Sequence, residues 1–231
     1  MSTAANAPAA ANGHADLLAL FAAWRRFERP PQRDGAPDYT PARMQQAVAG
    51  LEDFRRRLQA LDCSSWPVPQ QVDWHLLRAE MNGLDFNLRV LRPWQRDPAF
   101  YLSVFPEQSD VPAREGPTHH ATVELWTYRF PLAAADAARL AAELAVIAPL
   151  LAQARGNLTG NARDLWTAGA ATVRAELDTL DALSARAAPE PGSALDVVIA
   201  AAHTATLAFA DWLDAEAPGK TGPSGIGRDN Y

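Results

Sequence analysis

Apolar residues recur along this chain at spacings of three and four, the mark of amphipathic helices. Leu17, Leu20, Phe21, Trp24 and Phe27 share one stripe and predict a helix over Ala15–Arg29, ended by Pro30-Pro31. Thr40 reads as an N-cap with Pro41 at the first helical position. Met44, Val48, Leu51, Phe54, Leu58 and Leu61 then line one face of a second helix, and the run Arg55, Arg56 and Arg57 reads as its solvated side. A third helix, Gln70–Leu91, is apolar on two sides. Val72, Leu76, Ala79, Gly83, Phe86 and Val90 make one row, and Leu77, Leu84, Leu88 and Leu91 another. So wide an apolar arc predicts burial between neighbours, with Gly83 permitting a close helix crossing.

Further along, Asp97-Pro98 reads as a cap and first-turn proline opening a short helix to Phe105. Residues 106–117 hold three prolines and read as a loop and the expected subdomain break. Val123–Phe130 reads as helix. Leu132–Ala148 is a helix that Pro149 kinks or restarts, continuing over Leu150–Asn157. Asn161–Ala187 is a long helix with Trp166, Val173, Leu177, Leu180 and Leu183 on one face. Ser193 caps a last helix to about Glu216 that turns Leu195, Ile199, Ala202, Thr206, Phe209 and Leu213 inward. The resulting organisation is a disordered tail over residues 1–13, an all-α bundle of about seven helices over 14–217, and a Gly/Pro loop over 218–231.

Composition supports the class. The chain has 48 Ala and 26 Leu against 11 Val and 3 Ile, which favours helix over strand. Its net charge of −6 argues against a nucleic-acid-coating protein. A single cysteine, Cys63, excludes an internal disulfide framework and a multi-cysteine zinc site. No run of about 18 residues is free of charge, so no membrane span is expected. Met1–Gly13 has no basic start and no apolar stretch of the kind a secretory signal needs, so a cytoplasmic location is the expectation.

Candidate chemistry is sparse. Gly219-Lys220-Thr221 resembles the end of a phosphate-binding loop, but Asp214 stands where that loop needs a glycine. His119, His120 and Glu124 are the only cluster with a metal flavour, set against a reading as two partly exposed histidines at a helix start. On a helix, residues 120 and 124 share a face while His119 points about 100° away, and zinc needs three or four converging ligands. His75 or His203 would add a third only through the tertiary fold. His203 reads as a core-edge histidine and Cys63 as an inert thiol. Asn157-Leu158-Thr159 matches a glycosylation sequon. The seven tryptophans read as core. No catalytic, cofactor-binding or metal-ligating residue is assigned.

Three segments together suggest a relative. They are Leu91–Tyr101, with its Trp-x-Arg-Asp-Pro-x-x-Tyr pattern, Ile147–Thr159, and the closing Gly225–Tyr231. In this order they resemble the N-terminal part of the bacterial family called domain of unknown function 885. The resemblance implies a largely helical, gluzincin-like zinc protein with a His-Glu-x-x-His helix in a C-terminal half. Its chemistry would be zinc-activated water attacking an amide or related bond. No histidine here is followed by Glu, so the resemblance carries no catalytic or metal residue onto this chain. Zinc and a peptide-like substrate are implied only for a full-length member. The implied partner is a missing or separately encoded catalytic half, with this chain a truncated product or a natural half. Arg96, Asp97 and Tyr101 would then stand on the wall of a substrate channel. The rival reading is a self-contained helical binding or scaffold module.

Overall fold

The computed structural model describes residues 13–109 and 117–230. About 68% of the chain is helical and 4% is strand, so the fold is all-α. Residues 1–12 of the expected tail and residues 110–116 of the expected subdomain break lie outside the described residues. Backbone contacts divide the chain into two units, one of Met1–Arg29 with Gln45–Arg89, the other of Pro30–Met44 with Val90–Tyr231.

The first unit holds α1 (His14–Phe27), most of α2 (Pro41–Gln59) and α3 (Val68–Phe86). The Asp16 carboxylate accepts from the Gly13 backbone N–H at 3.2 Å and closes the start of α1. Leu17, Leu20 and Trp24 of α1 are buried, as are Leu51, Phe54 and Leu58 of α2. Trp24 meets Phe54 edge-on with ring centroids 5.6 Å apart, and Phe27 lies 4.8 Å from Phe54. The small residue that matters here is Gly50, because a Cβ on it would overlap the Phe27 ring. Gly83 has nothing within 4 Å of that position, so the close crossing expected there does not occur. Arg55 is tied to α3 through Asn82 (3.1 Å) and Asp85 (3.3 Å) rather than simply solvated.

The wide apolar arc of α3 is not buried between neighbours. Leu77 and Met81 are buried, yet Val72 is 48% and Leu76 59% exposed. Leu18 and Phe21 of α1 are also exposed. One row of α3 packs, and the other faces out. The helix ends in a π-turn, Asn87–Leu91, and the boundary between the units falls within it.

In the second unit, β1 (Gln32–Arg33) and β2 (Ala36–Pro37) form a small antiparallel hairpin. Asp34 and Gly35 turn it with φ of 51° and 88°, as a two-residue Asp-Gly turn requires. The α4 helix (Pro93–Arg96) and a 3₁₀ turn (Pro98–Tyr101) follow. The segments expected to be helical at Val104–Phe105 and Val123–Phe130 are instead irregular. They contribute β3 (Val104–Phe105) and β4 (Val123–Glu124), paired in parallel, and a 3₁₀ turn at Leu125–Thr127. Phe130-Pro131 is a cis peptide.

The rest is a bundle of α5 (Ala134–Leu144), α6 (Ile147–Asn157), α7 (Arg163–Ala187) and α8 (Ala194–Glu216). Counting α5 and α6 as one interrupted rod gives six long helices among the described residues, against about seven expected. α8 packs on α5, α6 and α7 through Leu195, Ile199, Phe209 and Leu213. By length and composition α8 is also long and apolar enough to cross a membrane, and about 33% of that apolar window is buried in the fold. Gly169 lets α7 meet the 3₁₀ turn closely, since a Cβ there would lie 2.9 Å from the Ala99 nitrogen.

Candidate functional site

The three segments that carry the family resemblance are far apart in sequence and meet in the second unit. Asp97 caps the 3₁₀ turn through the Ala99 N–H at 2.9 Å. Tyr101 is buried and donates its hydroxyl to the Trp94 carbonyl at 2.7 Å. The Gly160 N–H donates to the Gln95 carbonyl at 2.9 Å, joining the α6–α7 turn to α4. A Cβ on Gly160 would stand 2.8 Å from that same oxygen. The Arg96 guanidinium donates to the carbonyls of Ser224 and Gly225, at 2.9 and 3.2 Å.

The closing loop completes the start of α7. A helix leaves its first N–H groups without intrahelical partners, and Ala162 before α7 has no side chain to offer. The Gly222 carbonyl takes the Arg163 N–H at 3.1 Å. Ser224 Oγ takes those of Asp164 and Leu165 at 2.7 and 3.2 Å. Asn161 Oδ1 accepts from the Thr221 N–H at 2.7 Å, and the Lys220 ammonium sits 3.9 Å over the Trp166 ring. Ser224→Ala is therefore expected to cost about 1 kcal/mol, as loss of a cap does elsewhere. Urea unfolding measures the loss, and faster hydrogen exchange at the Asp164 and Leu165 amides locates it.

Beside this junction runs a second polar network. Asn157 Nδ2 donates to Tyr101 Oη and to Gln153 Oε1, each at 3.2 Å. Gln153 in turn accepts the Tyr39 N–H at 2.7 Å, and the Tyr39 hydroxyl is 2.8 Å from His120 Nδ1. Burial pushes both tyrosine hydroxyls above their ordinary pKa, so both are neutral donors. Asn157, the residue of the sequon, is buried inside this network and presents no acceptor to solvent.

His119, His120 and Glu124 do not share a helix. His119 and His120 sit in loop and Glu124 in β4. His119 is 2% exposed, whereas His120 and Glu124 are exposed. His119 lies instead beside Ser103, whose backbone N–H is held by Glu176, an acid that no motif marks. Ser103 Oγ is 3.2 Å from His119 Nε2. This resembles a serine–histidine pair, but the tautomer is wrong for a base. The Ala121 N–H donates to His119 Nδ1 at 3.1 Å, which puts the ring proton on Nε2, facing the serine. Burial lowers the His119 pKa to about 4, so the ring is neutral at pH 7.

Glu176 of α7 is buried under the start of β3. Its Oε1 accepts the backbone N–H groups of Ser103 and Val104, at 2.7 and 2.6 Å. Its Oε2 has no hydrogen-bond partner among the described residues. Desolvation raises its pKa to about 7, against the pull of those two amides. The acid orients backbone and not the histidine, so the three groups form a structural clamp rather than a nucleophile with its relay.

The remaining candidates are dispersed. His203 Nε2 lies 3.4 Å from Asp181 at the α7–α8 surface, and His75 packs against Trp74. Cys63 sits half-buried in a turn. Among the described residues, no group of three or more His, Cys, Asp or Glu comes together to hold a metal ion. The described residues therefore offer no ligand set for the zinc that the resemblance implies. Compared with known families, curated proteins and solved structures, the chain matches none.

Proposed function

We propose that this chain is the non-catalytic helical region of a zinc-hydrolase-like protein, a framework that a separate catalytic region completes. One observation supports the reading. The three segments on which the resemblance rests meet in two adjoining hydrogen-bonded networks, one joining Gln95 to Thr159 and Arg96 to Gly225, the other joining Tyr101 to Asn157. All three lie in the second unit, so they act as parts of one framework. In that unit Arg96, Asp97 and Tyr101 hold backbone and turns, so their role is to shape a wall rather than to touch a substrate.

Two measurements test the reading. The DNA following the Tyr231 codon, or a neighbouring gene, is expected to encode a His-Glu-x-x-His helix whose product binds this chain. The purified chain, incubated with excess zinc and passed through gel filtration, is expected to keep far less than one zinc per chain and to hydrolyse no peptide. Stoichiometric zinc with peptidase activity would overturn the proposal.

A second reading, a self-contained binding module, is favoured by the outward apolar row of α1 and α3 in the first unit. That row calls for a cover of some kind.

A further inference from the structure

We propose that the groove between α2 and α3 binds a mononucleotide, a phosphate monoester joined to a flat heteroaromatic ring. The groove lies wholly within the first unit, and the inference depends on neither functional reading.

Packed helices ordinarily turn apolar stripes toward each other. Here the seam is apolar at its floor, where Leu58 and Met81 are buried. Above that floor each helix lines the groove with a polar stripe. On α2 it is Glu52, Arg55, Arg56 and Gln59, at spacings of three, one and three; on α3 it is Trp74, Arg78 and Asn82, each four apart. The groove holds about 470 Å³, the size of a small-ligand cleft and more than a lone phosphate fills.

Its charge runs against that of the chain, which is −6 overall. Arg55, Arg56, Arg57, Arg78 and Arg89 stand in or beside the groove against Glu52, Asp53 and Asp85, a surplus of two positive charges. The carboxylates are shared. Glu52 and Asp85 each serve both Arg55 and Arg89, and Asp53 serves Arg56 and Arg57. Exposed pairs of this kind are weak and leave a guanidinium open to a better anion. Among the described residues Arg78 has no acidic partner, and its guanidinium lies 5.9 Å from the centre of the Trp74 ring.

Two contacts set the register of the walls. Arg55 donates to Asn82 Oδ1 at 3.1 Å, and Trp74 Nε1 donates to the Leu58 carbonyl at 3.1 Å. Arg56 and Arg78 fall between these contacts, on opposite walls. Like charges on facing walls repel, and an anion between them removes that cost. The surplus of two matches a phosphate monoester near neutral pH, and two guanidinium forks match its oxygens. Trp74 and Gln59 make the other end of the groove. The Nε1 bond fixes the half-buried indole as a wall on which a base stacks. The Gln59 carboxamide, unpaired among the described residues, offers a donor and an acceptor to the edge of that base.

Isothermal titration of the full chain tests the site. The ligands are adenosine, guanosine, cytidine and uridine monophosphates, with their parent nucleosides and inorganic phosphate as separate probes. At least one mononucleotide is expected to bind one-to-one with Kd below about 1 mM, and about tenfold or more tighter than its nucleoside or phosphate alone. Arg56→Gln and Arg78→Gln, both at exposed positions, are each expected to weaken it about tenfold with an unchanged circular dichroism spectrum. Arg174→Gln, on α7, is expected to leave it unchanged. Trp74→Leu is expected to abolish the advantage over phosphate, and Gln59→Ala serves as a second variant at that end should the first not fold. Four mononucleotides that all fail to bind, binding no tighter than that of phosphate, affinity that survives both arginine variants, or an advantage over phosphate that survives the changes at Trp74 and Gln59 would overturn the proposal.

Discussion

Glu176→Gln is expected to stabilise this protein by about 3 kcal/mol at pH 8 and to change little at pH 4. The glutamine keeps an oxygen for the Ser103 and Val104 amides and removes the ionisation. The folded pKa near 7, against an ordinary 4.5, means the folded chain releases this proton later than the unfolded one. Stability due to this group is therefore full below about pH 4.5 and lost as pH rises through 7. His119 acts in the opposite direction. Its folded pKa near 4, against an ordinary 6.5, means that stability is lost as pH falls from 6.5 to 4. In the wild-type protein the two trends offset each other over much of that range. Urea unfolding at a series of pH values separates them. Glu176→Gln is expected to show a steeper loss toward acid than the wild type, and His119→Gln a steeper loss toward base. Parallel profiles for all three proteins would show that neither group titrates as its burial requires.

Gly222→Ala is expected to cost about 2–3 kcal/mol, within the range seen when a methyl is forced into filled space. The added Cβ would run into the Asn161 carbonyl oxygen, which is backbone and cannot rotate aside. The alternative is for the loop to leave α7, and then the caps on Arg163, Asp164 and Leu165 go with it, together with the Arg96 bonds. The loss is limited by the worth of that docking, which makes it larger than that of Ser224→Ala. Thermal unfolding gives the size. Fluorescence of Trp166, whose ring lies under Lys220, reports whether the loop has come away.

Most helices were legible because their determinants are local. Thr40-Pro41, Asp97-Pro98 and Ser193 start helical turns where expected, with Ser193 Oγ accepting the Asp196 N–H at 3.3 Å. The Asp34-Gly35 turn was equally local, and its two-residue hairpin could have been read from that pair. The β3–β4 pair could not be read. Two residues per strand are too few to alternate, and the partners Val104 and Val123 are joined by a single parallel register far along the chain.

The clamp was missed for another reason. Glu176 carries a charge, which marks a surface position by composition, yet it follows Val173 by three and precedes Leu180 by four. An acid inside the buried row of a helix is a signal that periodicity alone provides. The wide arc of α3 shows the opposite error. Periodicity gives the angle of each apolar side chain but not how many neighbours the helix has, and among the described residues Val72 and Leu76 of α3 stay exposed while Leu77 and Leu88 are buried.

The closing loop bears on the order in which the chain matures. The first turn of α7 is emitted from the ribosome some 60 residues before the serine that satisfies it. Until that serine emerges, the Arg163–Leu165 amides face water or whatever acceptor is nearby. The second unit thus reaches its final protection against unfolding only once Ser224 has emerged, and a nascent chain paused before Ser224 should be more open to proteases at the head of α7 than one that extends past it.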